Sequence, residues 1–320
     1  MVKNHHPRRG SMQFWPRKRS KHSLVRIRSW ATESKVKSLG FIGYKAGMVH
    51  VMAKDNRAKS LTKGETISLP VTIIDCPPMS VVGVNYYKRS MFGVKKVKSV
   101  MAPKLDKELS RVINVTKVAK AKLEDVGDFD DIRILVHTNP KQTTTGNKKP
   151  KLLEMALGGS KDDKINFAKE NLGKTISVAD VFEKGIMVDV HGVTKGKGFA
   201  GTVKRYGVAI RQHKGEKVKR GIGNLGAWTP KRVLYSVPQP GKMGFHLRTE
   251  YNKQILGLGE NGSELVPKGG VAHYGKLDNN YLLIYGSVAG PRKGAIVLTA
   301  ATRSNKKYQK DAYSVTKIIK

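Results

Sequence analysis

Lysine and arginine dominate the residues of this chain that could do chemistry, and they cluster in two segments. Residues 1–30 hold nine Lys or Arg and no acid, and residues 191–248 hold thirteen with a single acid, Glu216. Such side chains bind phosphate oxygens by charge and by hydrogen bonds. Over 320 residues, 61 Lys and Arg against 24 Asp and Glu give a net charge of +37. Because this charge repels itself until a polyanion neutralises it, the composition predicts nucleic acid as the partner.

Two alternatives to nucleic acid are compatible with the charge alone. An anionic membrane would attract the same side chains, but no basic amphipathic helix with a continuous apolar face is visible. A basic protein without a polyanion partner is the other alternative. No run of about 18 apolar residues and no signal-peptide apolar region occurs, so neither a membrane span nor secretion is predicted. The single cysteine, Cys76, excludes an internal disulfide, indicates a reducing intracellular compartment, and is expected to be a buried apolar residue beside Pro77.

Motifs that could indicate an enzyme are incomplete. The G-x-G-x-x-G pattern at residues 196–201 lacks the helical period and the acid about 20 residues later that a dinucleotide site needs. Gly173-Lys174-Thr175 resembles the end of a phosphate-binding loop, but the earlier glycine that this loop requires is Ala168. The nine histidines show no metal-ligand spacing. We therefore expect no catalytic residues, cofactor or metal, and interpret residues 196–201 as a flexible basic loop whose backbone approaches phosphates.

Trp228 is the most suggestive single residue. It stands in the segment GAWTP (226–230), among glycine, proline and basic residues rather than in an apolar run. This setting predicts a loop tip at which the indole stacks on an RNA base. The alternative is that Trp228 is a single buried residue of a hydrophobic core.

Outside the basic segments the patterning predicts a β-rich body split by an α/β insert. A capping box at Ser160 and Asp163 starts a helix that Gly173 ends, and Ser177 with Asp180 indicates a short helix ending at Gly185. Further helices are predicted near 104–112 and 117–126. Apolar runs predict strands at 41–44, 48–52, 66–75, 80–88, 91–100, 132–136, 186–190, 281–285 and 295–299.

Several segments resemble the universal ribosomal protein three of the large subunit. They are DVHGVTKGKGFAGTVKRYG (189–207), GAWTPKRV (226–233) and GKMGFHLRTEYN (241–252), and PRRGSMQFWPRKRS (7–20) and SLGFIGYKAGM (38–48) fit the same family. The resemblance runs through most of the chain and is weakest over residues 100–180. Bacterial members carry Gln in place of Trp228 and lack the long N-terminal extension. The chain therefore resembles the archaeal–eukaryotic type, and its length favours an archaeal member.

The resemblance implies a mixed α and β fold: a closed β-barrel of the translation-protein type with an inserted α/β domain and two extended basic arms. Residues 1–37 would form the N-terminal extension, 38–76 and 186–320 the interrupted barrel, and 77–185 the insert. Within the barrel part, residues 191–248 would form a finger that penetrates RNA toward the peptidyl transferase centre, with Trp228 at its tip.

In function, the resemblance implies a non-enzymatic structural constituent of the large subunit of the cytoplasmic ribosome. It would bind large-subunit ribosomal RNA early in assembly, beside neighbouring ribosomal proteins, without a membrane partner or a homo-oligomer. An RNA-modifying enzyme with a basic groove and a basic DNA-binding protein are the alternatives. The expected RNA-binding residues are Arg8, Arg9, Arg17, Lys18, Arg19, Lys21, Lys195, Lys197, Lys204, Arg205, Arg211, His213, Lys214, Lys217, Lys219, Arg220, Trp228, Lys231, Arg232, Lys242 and Arg248.

Overall fold

A computed structural model describes residues 8–115, 127–215, 217–267, 269–304 and 310–319. Contacts divide the chain into two compact units. The described residues of Met1–His22 and Val193–Arg248 form the first, called here the basic unit. Those of Ser23–Gly192 and Thr249–Lys320 form the second, called the β unit. The sequence predicted two extended basic arms, and the described residues up to His22 and those from Val193 to Arg248 group in one unit.

The described residues are mostly β, with few helices. The helices are α1 (Lys161–Asn171) and α2 (Thr202–Tyr206), with short 3-10 turns at Met12–Phe14, Lys107–Arg111, Pro140–Gln142, His213–Gly215 and Gly262–Leu265. In chain order the strands are β1 (Gly40–Asp55), β2 (Thr66–Asp75), β3 (Met79–Ser90), β4 (Gly93–Met101), β5 (Asp131–His137), β6 (Leu152–Ala156), β7 (Thr175–Ile176), β8 (Met187–Val193), β9 (Phe199–Ala200), β10 (Gly241–Lys242), β11 (Leu247–Gly259), β12 (Tyr281–Tyr285), β13 (Ala295–Ala300) and β14 (Tyr313–Ile319).

The largest sheet has seven strands in the order β13-β8-β11-β12-β2-β1-β14, and β13 also pairs with β1. Strand β1 is long enough to serve three partners, all antiparallel. Its first residues, from Gly40 to Tyr44, pair with β13, its last residues pair with β14, and β2 pairs along most of its length. Strands far apart in the chain are therefore brought together by one continuous strand.

The core of this sheet is made of side chains that alternate along the strands. Leu69, Val71 and Ile73 lie two residues apart on β2 and join one apolar cluster with Tyr44 and Leu283. Period-two spacing places such residues on one face of a strand. Burying each of these side chains contributes about 1.5–3 kcal/mol. Cys76 is also completely buried, as the sequence predicted.

A second sheet, of five strands, has the order β4-β3-β5-β6, with β7 on β3. Helix α1 contacts β5, and its Ala168 joins a core that includes Tyr86 and Ile132. The predicted capping box is confirmed, because the Asp163 amide donates to Ser160 Oγ and the Ser160 amide donates to Asp163 Oδ2. The predicted end of the helix is also confirmed, since Gly173 follows the C-cap with a φ of +81°.

Two other helix predictions fail within the described residues. Residues 104–112 contain only the 3-10 turn Lys107–Arg111, and the predicted helix at 117–126 lies outside the described residues. The helix predicted from Ser177 to Gly185 is wrong, because only turns form there. Ser177 Oγ, which would cap a helix, accepts a hydrogen bond from Asn280 at 3.0 Å. The Gly185 amide donates to the Ile255 carbonyl at 2.8 Å and draws the chain toward β11.

Candidate nucleic-acid interface

The described residues of the basic unit include no internal counterion. Its described residues, 8–22, 193–215 and 217–248, contain nineteen Lys and Arg and no Asp or Glu. Elsewhere carboxylates lie close to cations, as Asp131 does to Lys164 at 2.7 Å. Because no carboxylate is available among these residues, the cations must be satisfied by carbonyl oxygens, by aromatic faces, by water or by a partner molecule.

The glycine-rich stretch that carries several of the predicted residues is held in a short antiparallel ladder between two segments that are far apart in the chain. Strands β9 and β10 pair in it, the Lys197 amide donates to the Met243 carbonyl, and the Met243 amide donates to the Gly198 carbonyl. Gly244 has a φ of +77°, and a Cβ there would lie 2.0 Å from the Lys195 carbonyl oxygen. Glycine is therefore required where the two chain segments approach most closely.

The residues that follow β9 in the chain correct a detail of the sequence analysis. No helix was expected there, but α2 forms a single helical turn, and Gly207, with a φ of +70°, ends it. Its Tyr206 is buried and lies 5.3 Å, ring centre to ring centre, from Trp15. The helix thus supplies an aromatic anchor for the N-terminal segment within the basic unit.

Four of the predicted RNA-binding residues are half-buried arginines that hold the basic unit together. Arg205 donates to the carbonyls of Gln239 at 2.8 Å, Lys242 at 3.1 Å and Arg17 at 3.1 Å. Arg17 donates in return to the Arg205 carbonyl and lies 4.3 Å from the Tyr206 ring centre. The planar guanidinium can serve several acceptors at once, which a lysine cannot do in the same geometry.

Arg211 and Arg248 have similar internal roles. Arg211 donates to the Ile222 carbonyl, and Arg248 lies 5.1 Å from the ring centre of Phe14. Burial, and secondarily the charge of Arg17, lowers the pKa of Arg248. These two residues, with Arg17 and Arg205, are placed to position the surface more than to form it.

The other predicted residues are exposed. They are Arg8, Arg9, Lys18, Arg19, Lys21, Lys195, Lys197, Lys204, His213, Lys214, Lys217, Lys219, Arg220, Trp228, Lys231, Arg232 and Lys242. The basic unit therefore presents many solvated cations with no acid among its described residues, the electrostatic footprint of a nucleic-acid-binding surface.

Trp228 lies on this surface with 84% of its area exposed, so the alternative of a core anchor is wrong. Two local hydrogen bonds shape the turn that carries it: the Gly226 amide donates to Asn224 Oδ1, and the Lys231 amide donates to the Trp228 carbonyl. The indole borders an open cleft together with Lys231 and Arg232. An exposed ring beside two cations can stack on a base while the cations contact phosphate.

Sequence reasoning missed two exposed aromatic residues in the same unit. Phe199 is 77% exposed and Tyr235 is 80% exposed. Phe199 stands between Gly198 and Ala200 without an apolar run, the same signal that identified Trp228, whereas Tyr235 follows Val233 and Leu234 and gave no such signal. Both add ring surface for stacking on bases.

Two of the histidines are structural. His246 is buried, accepts from the Gly244 amide at Nε2 and lies 2.9 Å from the Lys18 carbonyl through Nδ1, a pattern that fits a neutral ring. His191 is held between Thr249 and Thr299, and burial lowers its pKa. In the part of the chain that the structure describes, no group of three or more His, Cys, Asp or Glu could hold a metal ion. No helix there is long and apolar enough to cross a membrane.

A mostly β protein with a unit whose described residues include many cations and no acid has the charge pattern typical of nucleic-acid-binding proteins. The family model described as Ribosomal protein L3 matches residues 1–319. The chain is 48% identical over 306 residues to the large ribosomal subunit protein uL3 of Methanocaldococcus jannaschii, covering 93% of this chain and 91% of that protein. It is 46% identical over 310 residues to uL3 of Methanococcus aeolicus (95% and 93% covered) and 44% over 312 residues to uL3 of Archaeoglobus fulgidus (95% and 94%).

The chain therefore belongs to the ribosomal protein L3 family, and the family resemblance predicted from the sequence is confirmed. It is a ribosomal protein of the archaeal kind, with a structural role in the ribosome rather than an enzymatic one.

Proposed function

We propose that this protein binds large-subunit ribosomal RNA through its basic unit and supports early assembly of the subunit. The observation that carries the proposal is the set of exposed cations of the basic unit, with no acid among its described residues and with Lys231 and Arg232 beside the exposed Trp228. Close packing of RNA helices traps counterions, and lysine and arginine side chains can replace them. Neighbouring ribosomal proteins are the remaining partners that we propose.

We further propose that residues 191–248 form the finger that approaches the peptidyl transferase centre, with Trp228 at its tip. The exposure of the indole and its two neighbouring cations, Lys231 and Arg232, support this assignment. The exposed predicted residues would contact phosphate and ribose, since folded RNA is recognised mainly by shape, phosphate and 2′-hydroxyl groups. Arg17, Arg205, Arg211 and Arg248 would act mostly by positioning that surface.

For the fold, we propose that six strands close a barrel. The pairing path runs from β1 through β2, β12, β11, β8 and β13 and returns to β1, and this return supports closure. The five-stranded sheet with α1 falls inside the proposed insert of residues 77–185. The proposed extension 1–37 and the barrel segments 38–76 and 186–320 complete the domain assignment.

Reconstitution of large subunits tests the proposed function. We expect Trp228→Ala subunits to assemble and to show altered chemical reactivity of the RNA around the peptidyl transferase centre. Tyr251→Ala, which removes a half-exposed aromatic residue of the β unit, is the matched control and should leave that reactivity unchanged. Identical reactivity in the wild-type protein and the Trp228 variant would overturn the assignment of the finger.

Competition separates RNA binding from the binding of duplex DNA. Unlabelled large-subunit ribosomal RNA should displace the labelled RNA at far lower concentration than duplex DNA of equal charge. Equal competition by the two would favour a general polyanion-binding protein.

A further inference from the structure

A second apolar and basic feature lies in the β unit, outside both basic segments. Strands β3 and β4 form a hairpin whose two-residue turn is Met91-Phe92, closed by the pair Ser90 and Gly93. Met91 is 94% exposed and Phe92 is 97% exposed. The sequence pattern predicted this segment as a strand and gave no reason to expect its apolar residues on the surface.

Cations line both strands below the turn. Residues 88–98 contain Lys88, Arg89, Lys95, Lys96 and Lys98 and no acid. Lys88 lies directly opposite Lys95 in the register, an arrangement of like charges that destabilises a hairpin. The Asp128 carboxylate forms a salt bridge with Lys88 at 2.6 Å. No carboxylate of the described residues forms a salt bridge with Lys95 or Lys96. The outer hairpin therefore keeps an excess of positive charge next to its apolar turn.

The base of the hairpin is firmly held. Tyr86 is buried and packs edge-on against Phe129 at 4.8 Å, and Tyr87 donates to Glu154 Oε1 at 2.6 Å. Burial, and secondarily the bond to Glu154, raises the pKa of Tyr87 to about 12. Beyond these residues nearly every side chain from 88 to 98 is exposed. Residues 88–98, called here the ribbon, therefore hold the turn in solvent, and Tyr86 and Tyr87 anchor its base.

We propose that this ribbon binds unpaired nucleotides of ribosomal RNA, with the Phe92 ring stacking on a base and Arg89, Lys95 and Lys96 contacting the flanking phosphates. The inference rests on the proposed function and adds a site that the basic segments do not include. Unstacked bases are commonly held on aromatic side chains, and apolar wedges beside cations insert between bases. Charge decides between occupants, because the exposed cations Arg89, Lys95 and Lys96 complement a polyanion and would repel a basic protein.

Site-specific photocrosslinking tests the proposal in the full-length protein. A benzoylphenylalanine is introduced at position 92, or at position 61 as a control, and large subunits are reconstituted. Leu61 is fully exposed in a turn of the same unit, and this turn lies outside the hairpin of β3 and β4. We expect RNA crosslinks from position 92 to exceed those from position 61 at least about tenfold. Crosslinking only to protein, or none above the control, would overturn the proposal.

A charge-matched pair of variants provides the second test. Lys95→Gln with Lys96→Gln should reduce the dependence of log K on log salt by about two for large-subunit ribosomal RNA. Lys59→Gln with Lys63→Gln removes the same charge from another exposed turn and should change the slope by less than about one. Equal slopes for the two variants would contradict the ribbon site. The same crosslinker at position 228 tests the proposed function separately. RNA crosslinks from position 228 with none from position 92 would contradict the ribbon site and still support RNA binding by the basic unit.

Discussion

The two units of this protein solve the problem of charge in opposite ways. The basic unit, Met1–His22 with Val193–Arg248, carries 20 of the 61 Lys and Arg and only one of the 24 acids. The β unit carries the remaining 41 cations with 23 acids. Net charge is therefore nearly equal in the two units, although the β unit has about three times as many residues.

The difference extends to what stabilises each unit. The β unit has apolar clusters and ion pairs such as Arg57 with the buried Asp55 at 2.8 Å. The basic unit relies on arginine bonds to carbonyls and on rings such as Tyr206, with its remaining cations solvated. The β unit is stabilised by its own interior, whereas the basic unit is suited to a polyanion that completes its charge balance.

The largest expected effect concerns RNA affinity. Replacing six exposed lysines of the basic unit with Gln should lower the affinity for large-subunit ribosomal RNA about a thousandfold or more and flatten the salt slope by about five. Replacing six exposed lysines of the β unit with Gln is the matched control, and this change should flatten the salt slope by about two at most. Filter binding across a salt series measures both. The six replaced residues are Lys195, Lys197, Lys204, Lys214, Lys217 and Lys219, and the control residues are Lys54, Lys59, Lys63, Lys104, Lys148 and Lys149.

The next effect separates core from surface. Leu283→Ala removes a buried side chain from the cluster of the large sheet and should lower the free energy of unfolding by about 2–5 kcal/mol. Trp228→Ala removes a larger but exposed side chain and should change it by less than about 0.5 kcal/mol. Urea unfolding of the RNA-free proteins compares the two, and a loss above about 3 kcal/mol for Trp228→Ala would mean that the indole is part of a core.

The free energy of unfolding should depend on pH through Asp75, a buried acid of the β unit. Asp75 is completely buried, accepts from Tyr274 at 2.5 Å and from Asn279 at 3.1 Å, and burial raises its pKa to about 6. An acid whose folded pKa is raised contributes stability below its unfolded pKa, near 4, and that contribution is lost as the pH rises through 6. Asp75→Asn should therefore become more stable relative to wild type between pH 4 and pH 7, by about 3 kcal/mol.

Urea unfolding of both proteins across this pH range checks the sign as well as the size. A difference in the free energy of unfolding that stays constant with pH would contradict the role assigned to Asp75.

The smallest effect addresses the arginines inside the basic unit. Arg205→Lys loses the fork that serves three carbonyls and should speed amide exchange at Met243 about fivefold or more, equivalent to about 1 kcal/mol. Arg220→Lys makes the same chemical change at an exposed arginine of the unit and should leave exchange unchanged. Exchange that is equally slow in both variants would show that the carbonyl contacts of Arg205 do not stabilise the pairing of β9 with β10.

Local features of this protein were predictable from the sequence, and features that depend on distant contacts were not. The capping box of Ser160 and Asp163 involves residues three positions apart, so its pattern was sufficient. The exposure of Trp228 followed from the lack of apolar neighbours. The pairing of β1 with β13 joins residues more than 200 positions apart, and no local pattern in the sequence indicates it.

The candidate site shows the same limit. Composition identified the cations of the basic unit, but it could not separate Arg205, which bonds to carbonyls, from Arg220, which is exposed. That distinction depends on which backbone oxygens the fold brings within reach. Phe92 was missed because an apolar residue in a strand pattern is expected to be buried, and only the position of the turn exposes it.

Crosslinking of native large subunits determines whether the basic unit is the principal RNA interface of this protein. Ultraviolet irradiation, nuclease digestion and mass spectrometry would map every nucleotide-bearing peptide of this protein. We predict that most crosslinked residues fall within Met1–His22 and Val193–Arg248, with Trp228 or its neighbours among them. Crosslinks distributed over the exposed residues of both units in proportion to their numbers, or confined to the β unit, would contradict the account.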